Sequence, residues 1–532
     1  MRLYCAFTLC TSVLGVFGQA RAEPANRNAT QALLDNGVAS SIISSLTEQL
    51  NKKSPSTCSV ACNTLKAVFG SDDVLLQDEA QYKYLSSAYW SQQQALVTPI
   101  CIFTPSKAID VSTLVLISQL SQCPFAVKSG GHAAFSGASN IEDGITVVLE
   151  KMKNIELSKD KKTAAIGPGN IWYDVYTTLE SHNLAVIGGR VAAIGVGGLT
   201  LGGGISFFSN IHGWACDSVV SFEVVTASGV VLDVSAAKHS DLFWALRGGG
   251  NNFGIVTKFT LKTFPQGQMW GGGKQILEPG FPAVIKAFYN LGMNAASDPN
   301  AGQILSFAYV QNTRIASADL QYANPIANAA ILAEYMAIPS IGDTTKVRSL
   351  ADLTVQFNSS NPSGLRETYW AATFKLDEDM TTFIKDIFFE EISLIADASA
   401  LIPAATLQVI TTPQLENMER NGGNALGLSA KSGPFILLNL NNMWAEAGDD
   451  ARVLKANANI IQRTVAEAKR RNLHHEYIYM NYASQFQAVI PSYGAENQRK
   501  LKAIARKYDP TEVFQRWQPG YFKLDGSPSI LS

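Results

Sequence analysis

The spacing of its glycines constrains this chain more than any other feature. Four clusters stand between Lys128 and Gly254: Lys128-Ser129-Gly130-Gly131-His132, Gly195-Val196-Gly197-Gly198, Gly202-Gly203-Gly204, and Gly248-Gly249-Gly250-Asn251-Asn252-Phe253-Gly254. A residue without a Cβ lets two backbones, or a backbone and a ligand, approach closely. It also lets N–H groups converge into a nest for anionic oxygens such as those of a pyrophosphate. One such cluster is an ordinary set of turns. Four of them in one stretch, one ending in a histidine, point to a dinucleotide ligand.

The spacing does not fit the familiar phosphate loops. Gly195-x-Gly197 is followed by Thr200, and Gly248-x-Gly250 by Phe253, where G-x-G-x-x-G requires a third glycine. There is no G-x-x-x-x-G-K-[ST] loop and no G-x-S-x-G elbow. His132 follows Ser-Gly-Gly directly, so little side chain shields its ring, and a neutral imidazole nitrogen is a nucleophile. The other histidines (His182, His212, His239, His474 and His475) form no metal-binding set, and no metal is expected. His474-His475 reads as a surface pair.

Secondary structure follows from period. Val111, Leu114 and Val115 keep helical spacing, Phe125 to Val127 is a short strand, and Ile145 to Leu149 a buried one. Asn170 is placed to cap a helix with Trp172, Val175, Tyr176 and Leu179 on its apolar face. Glu223–Ala227 and Val230–Val234 read as strands joined at Ser228-Gly229, and Ile255–Leu261 as another. Glycine clusters thin out after Pro265-Gln266-Gly267. Tyr477–Tyr482 reads as a strand and Arg499–Lys507 as a helix.

At 532 residues the chain needs more than one core. Its net charge of −2, with no Lys/Arg block, leaves no electrostatic footprint for nucleic acid. Residues 1–22 have the pattern of a signal peptide: Arg2, an apolar stretch from Leu3 to Phe17, and Ala20-Arg21-Ala22 before Glu23. Secretion, or passage through the secretory pathway, is expected, with no membrane span after signal removal. Asn28 and Asn358 begin glycosylation sequons. Of the cysteines left after cleavage, Cys58 and Cys62 are expected to tie the N-terminal segment to the region of Cys101 or Cys123. With Cys216 the count is five, so at least one thiol is left over, and the pairing stays open.

The ordered motifs resemble a known family. They are Phe-Ala-Val-Lys-Ser-Gly-Gly-His at 125–132, Gly137 with Ser139, Gly167-Pro168-Gly169, and Gly188-Gly189 before the Gly195 cluster. Asp241 to Gly250, Asn252 to Thr257, and Tyr508-Asp509-Pro510 before Phe514 complete the set. The chain resembles the vanillyl-alcohol-oxidase (PCMH-type) flavoproteins, in their berberine-bridge-enzyme-like branch, with the fungal secondary-metabolite members nearest. The resemblance implies an α+β fold: a two-lobed FAD-binding domain with an inserted substrate domain, an antiparallel sheet backed by helices. The segments expected are 23–266 for the first part of the FAD domain, 267–476 for the substrate domain, and 477–532 returning to the FAD domain. It also implies FAD bonded through His132. Ser129, Gly130, Gly131, Gly137, Ser139, Gly197, Gly198, Gly202 and Ile255 would hold the cofactor, and Ile194 stands where relatives tune oxygen access.

Two departures matter. Val191 occupies the place where bicovalent relatives carry a cysteine, so a single covalent link is expected, and a sugar substrate is disfavoured. The acid of the berberine bridge enzyme has no counterpart around Leu428-Ser429-Ala430-Lys431. The catalytic candidates are therefore Tyr479, Asn481 and Tyr482, with strand alternation sending Tyr479 and Asn481 to one face and Met480 and Tyr482 to the other. A tyrosine needs a nearby cation to serve as a base. The expected activity is two-electron oxidation of a small organic molecule, an alcohol or related C–H, with dioxygen as acceptor and hydrogen peroxide as product. A carbohydrate oxidase, an oxidative or non-redox cyclase, and a non-catalytic binder are the alternatives. A monomer is expected.

Overall fold

Parallel strands cannot be joined by a tight turn, so they need a crossover, and the first apolar helix of the chain supplies one. In a computed structural model, which describes residues 28–52, 56–310 and 313–530, Cys101–Phe103 and Phe125–Lys128 both run parallel to Ile145–Val148. The helix Ala108–Ser121 makes the crossover and is buried on nearly every side, its Ser112, Thr113, Ser118 and Ser121 hydroxyls each bonded to a backbone carbonyl. Asp110 caps its start by accepting from the backbone N–H groups of Ser106 and Lys107. Val74–Leu76 adds an antiparallel edge to complete a four-stranded sheet. The signal-peptide segment, residues 1–22, lies outside the described residues.

Cys58 and Cys62 stand one turn apart on the helix Thr57–Phe69, so both face the same way. They bond to Cys123 and Cys101 respectively, while Cys216 stays a buried thiol. The two bridges pin the N-terminal helices onto the first sheet.

A second, six-stranded antiparallel sheet follows. Its central strand, Ile255–Pro265, pairs with Thr163–Ile166, Leu184–Val186 and Val219–Val225. Val219–Val225 and Val231–Ser235 form the hairpin, and Gly229 takes φ +73 in its turn. The helix Trp172–Glu180 buries Trp172, Val175, Tyr176 and Leu179, but Ile171 is its N-cap and Asn170 does not cap it. The Asn170 amide donates instead to the Gly167 carbonyl, folding the Gly-Pro-Gly turn.

Residues 269–475 build a nine-stranded sheet, antiparallel throughout. Alternation divides its faces. Leu305, Phe307, Phe374, Leu438 and Leu440 point to the helices Phe281–Asn294, Glu378–Ser393 and Asp450–Arg470. The last of these buries Val453, Ala456, Ile460, Thr464 and Ala468, a stripe at helical spacing. The opposite face carries Glu367, Tyr369, Thr406, Gln408, Asn439 and Asn441, and turns toward the glycine-rich loops. This is the expected α+β architecture with a helix-backed antiparallel sheet.

Two local expectations fail. His474–His475 forms a two-residue strand, half-buried rather than on the surface, with His475 against the Phe435 ring at 4.5 Å. Tyr477–Tyr482 is not a strand: Met480–Tyr482 is a 3-10 turn. The turn arises because Met480 is drawn inward, where its sulfur packs against Gly250, and the chain must coil to follow it. The helix Ala495–Tyr508 and a tail reaching Leu524 then pack back against the second sheet.

Candidate active site

Three of the four glycine clusters meet at one cleft, and two of them touch. Gly130 and Gly195 lie back to back, so that a Cβ on either would strike the other's backbone nitrogen. Ser129 fastens the contact: its hydroxyl donates to the Pro168 carbonyl at 2.6 Å and accepts from the Gly197 N–H at 3.1 Å. The cleft they floor encloses about 1370 Å³ free of protein atoms, mouth included.

Ser129, Gly130, Gly131, His132, Ser139, Ile194, Gly197, Gly198 and Ile255 all line this cleft, as do Tyr479, Asn481 and Tyr482. Gly137 and Gly202 do not. Gly202 lies under the Asn481 side chain, and the Gly137 carbonyl lies under Gly520. Both glycines pack closely against the C-terminal segment. Asn28 is exposed as the N-cap of the helix Ala29–Asp35. Asn358 is half-buried, its Oδ1 accepting from the Ala193 N–H.

His132 is half-buried, and its Nε2, shut from solvent, has no hydrogen-bond partner. The Trp90 ring stacks on the imidazole at 4.3 Å and 13°. Desolvation pushes its pKa down to about 4, so the ring is neutral above that pH and keeps a free lone pair. An orphaned, neutral, orientationally fixed imidazole at the wall of this glycine-floored cleft fits a cofactor bonded at that nitrogen.

The three C-terminal candidates play different parts. Because Met480–Tyr482 coils, Tyr482 swings to the same side as Tyr479, and their rings meet edge to face at 4.8 Å. The Tyr479 oxygen accepts from the Gly204 N–H, the Ile205 N–H and the Asn481 amide, at 3.2, 3.2 and 3.0 Å. Burial pushes this phenol's pKa upward, the nearby Tyr482 adding to the effect. Tyr479 is thus a pin for the loop at Gly203-Gly204, and Asn481, donating also to the Leu199 carbonyl, braces it. The Tyr482 oxygen instead accepts from Arg190 Nη2 at 2.8 Å and Gln408 Nε2 at 3.1 Å. With its lone pairs engaged, its hydroxyl proton is what it can offer to a third group.

Sequence reasoning missed Trp90, Arg190, Tyr369, Gln408, Gln518 and Tyr521. Arg190 stands within the Gly189-Arg190-Val191 stretch, where attention fell on the residue after it. Tyr369 and Gln408 sit on strands of the large sheet that carry no motif. Leu428–Lys431, taken as the counterpart of a sheet-borne acid, lies in the turn ahead of the strand Phe435–Trp444. The acids that the sheet does present on this side are Glu367, two residues from Tyr369 along the same strand, and Asp319.

Comparison with known proteins agrees with this geometry. A family described as an FAD binding domain matches residues 99–235. An FAD-dependent monooxygenase of Cochliobolus heterostrophus is 35% identical over 490 residues, covering 88% of this chain and 94% of the relative. An FAD-dependent monooxygenase of Fusarium proliferatum is 38% identical over 452 residues, covering 82% and 87%. Among solved structures, the BBE-like 1 protein of Physcomitrella patens superposes with a TM-score of 0.70 at 16% identity, covering 88% of this chain and 99% of that one. A chitooligosaccharide oxidase gives 0.68 at 20%, covering 87% and 100%. At these identities the structural matches establish the fold.

Proposed function

Because this chain belongs to the berberine-bridge-enzyme-like family of FAD-dependent oxidoreductases, we propose that it holds FAD by one covalent bond from His132 and oxidises a small organic molecule by two electrons. The observation that carries the reading is the buried, unpartnered Nε2 of His132 at the wall of the cleft. Val191, also in that wall, has no sulfur with which to form a second bond.

FAD, when bound, supplies the acceptor for two electrons, and dioxygen regenerates it with release of hydrogen peroxide. The protein's own residues position the substrate and hydrogen-bond to it. Ser129 and the touching backbones of Gly130 and Gly195 fix the floor. Trp90 holds the His132 ring in one plane. Tyr369 and Tyr482, 6.0 Å apart edge to face, wall the substrate end. Tyr482 presents its hydroxyl proton to the substrate's reacting group, its oxygen oriented by Arg190 and Gln408. Disulfides tying the N-terminal helices support an oxidising compartment, and with it a secreted enzyme.

The test is direct. The protein is denatured and precipitated in acid, and flavin absorbance is followed in the pellet for wild type and His132→Ala. Retention in wild type and release from the variant is the expected result; release from both would refute the covalent assignment. Tyr482→Phe should keep the flavin and lower kcat by about 100-fold or more. The fungal relatives carry the name monooxygenase, so the fate of dioxygen decides the outcome class. One peroxide per substrate oxidised is expected, and labelled oxygen found in the product would replace the oxidase reading.

A further inference from the structure

Four arginines are buried among the described residues: Arg190, Arg247, Arg348 and Arg366. Three of them have a carboxylate. Arg247 meets Asp217 at 3.3 Å, Arg348 meets Asp352 at 3.3 Å, and Arg366 is clasped by Asp450. Arg190 has none within ion-pair distance, although only 8% of its surface is exposed. Burying a guanidinium without a counter-charge costs several kcal/mol, as an order of magnitude, so an unpaired buried arginine calls for an explanation.

Its hydrogen bonds sharpen the point. A guanidinium carries five N–H donors. Here only Nη2 is engaged, and with two uncharged oxygens, Gln408 Oε1 at 2.7 Å and the Tyr482 hydroxyl at 2.8 Å. Nε and Nη1 have no partner and neither is a buried orphan, and Arg190 lines both this cleft and the smaller cavity beside Ser206 and Asn210. Asp319, on the same face of the large sheet, feels its field, but burial raises that carboxyl to about 7, so it supplies no full countercharge at neutral pH. An open donor of this fixed, charged group matches one ionised oxygen, whether of a carboxylate, a phenolate or an enolate; Nε and Nη1 lie on different edges and do not grip one carboxylate together.

We propose that Arg190 is the substrate-recognition residue for an anionic oxygen group, a carboxylate or an ionised phenol or enol, held beside the Tyr482 hydroxyl. The inference rests on the flavoenzyme reading above and narrows its substrate class. A substrate anchored in this way would place its acidic oxygen beside Arg190, where the Tyr482 hydroxyl can donate to it.

The experiment uses the full-length, FAD-loaded protein and two probes of one shape, benzoate and benzamide. Binding is read from the shift of the flavin absorbance bands and, independently, by calorimetry. Wild type should bind benzoate at least about tenfold more tightly than benzamide, the scale of one charge-assisted hydrogen bond. Arg190→Met should erase that preference while leaving benzamide binding unchanged, and Arg190→Lys should restore part of it. Equal binding of both probes by wild type, binding of neither, or undiminished benzoate binding by Arg190→Met would overturn the proposal. An Arg190→Met protein that purifies without FAD, while Arg190→Lys keeps it, would assign Arg190 to the cofactor and overturn it as well. Wild-type protein that never carries FAD would instead bring down the flavoenzyme reading itself.

Discussion

Replacing Glu367 by glutamine should stabilise this protein at neutral pH, and the gain should fade as the pH falls. Glu367 is 3% exposed, and neither carboxyl oxygen has a hydrogen-bond partner. Its backbone is tied to Gln93, which leaves the side chain no freedom to reach solvent. Burial alone raises its pKa from 4.5 to about 10. A carboxyl raised in this way adds no penalty below pH 4.5, where folded and unfolded chains are both protonated. It costs progressively more as the pH climbs toward about 10, because the unfolded chain ionises and the folded one does not. At pH 7 the cost is 2.303RT times the 2.5-unit gap above 4.5, or about 3 kcal/mol; at pH 5 it is about 1 kcal/mol. Glutamine has nearly the same shape and no charge at any pH, so this pH-dependent penalty disappears. Urea unfolding of wild type and Glu367→Gln at pH 5 and pH 7 reads the difference. The variant's advantage should grow by about 2 kcal/mol between the two. Parallel pH dependence of the two proteins would mean that Glu367 is ionised in the folded state, and would refute the reasoning.

Other perturbations follow from the same contacts. Gly195→Ala should push the Gly130 loop off its neighbour, costing about 1–3 kcal/mol and most of the bound flavin, which absorbance of the purified protein will report. Removing the Cys58–Cys123 bridge by a double serine substitution should cost about 3–4 kcal/mol in unfolding free energy, since it closes a loop of 65 residues that the second bridge only partly constrains. Ile194→Gly should speed reoxidation of the reduced enzyme in stopped-flow, because its branched side chain lines the cleft next to the touching loops; an unchanged rate would remove Ile194 from oxygen control.

What the sequence disclosed, and what it hid, divides along physical lines. Glycine is required wherever backbones touch, so the loops at Gly130 and Gly195, and with them His132, could be read directly. Period gave the buried face of Trp172–Glu180 and the helical spacing of Val111, Leu114 and Val115 for the same reason: each residue's fate depends on near neighbours. Tyr477–Tyr482 misled because alternation is a local rule, and here a distant contact, Met480 against Gly250, decides the conformation. The polar face of the large sheet was illegible for a different reason. Thr406 and Gln408 alternate with Ala405, Leu407 and Val409 as on any strand with one wet face, while Glu367 and Asn441 have polar neighbours and give no such signal. Only tertiary closure turns that face from solvent to cleft. Arg190 escaped notice because its partners, Gln408 and Tyr482, lie about 220 and 290 residues away.

The docking of the tail has a consequence for the order of events during synthesis. Gln518 and Tyr521 form part of the cleft wall, while the Asn251 and Asn252 amides, which close the last glycine cluster, donate to the carbonyls of Gly520 and Phe522. The loops around His132 leave the ribosome almost 400 residues before that wall exists. A nascent chain can thus fold its first sheet and form its disulfides, but it has no finished pocket until residues 518–522 have emerged and docked. Cofactor capture would then wait on that segment, and a chain stopped before Gln518, however well folded elsewhere, should purify without colour.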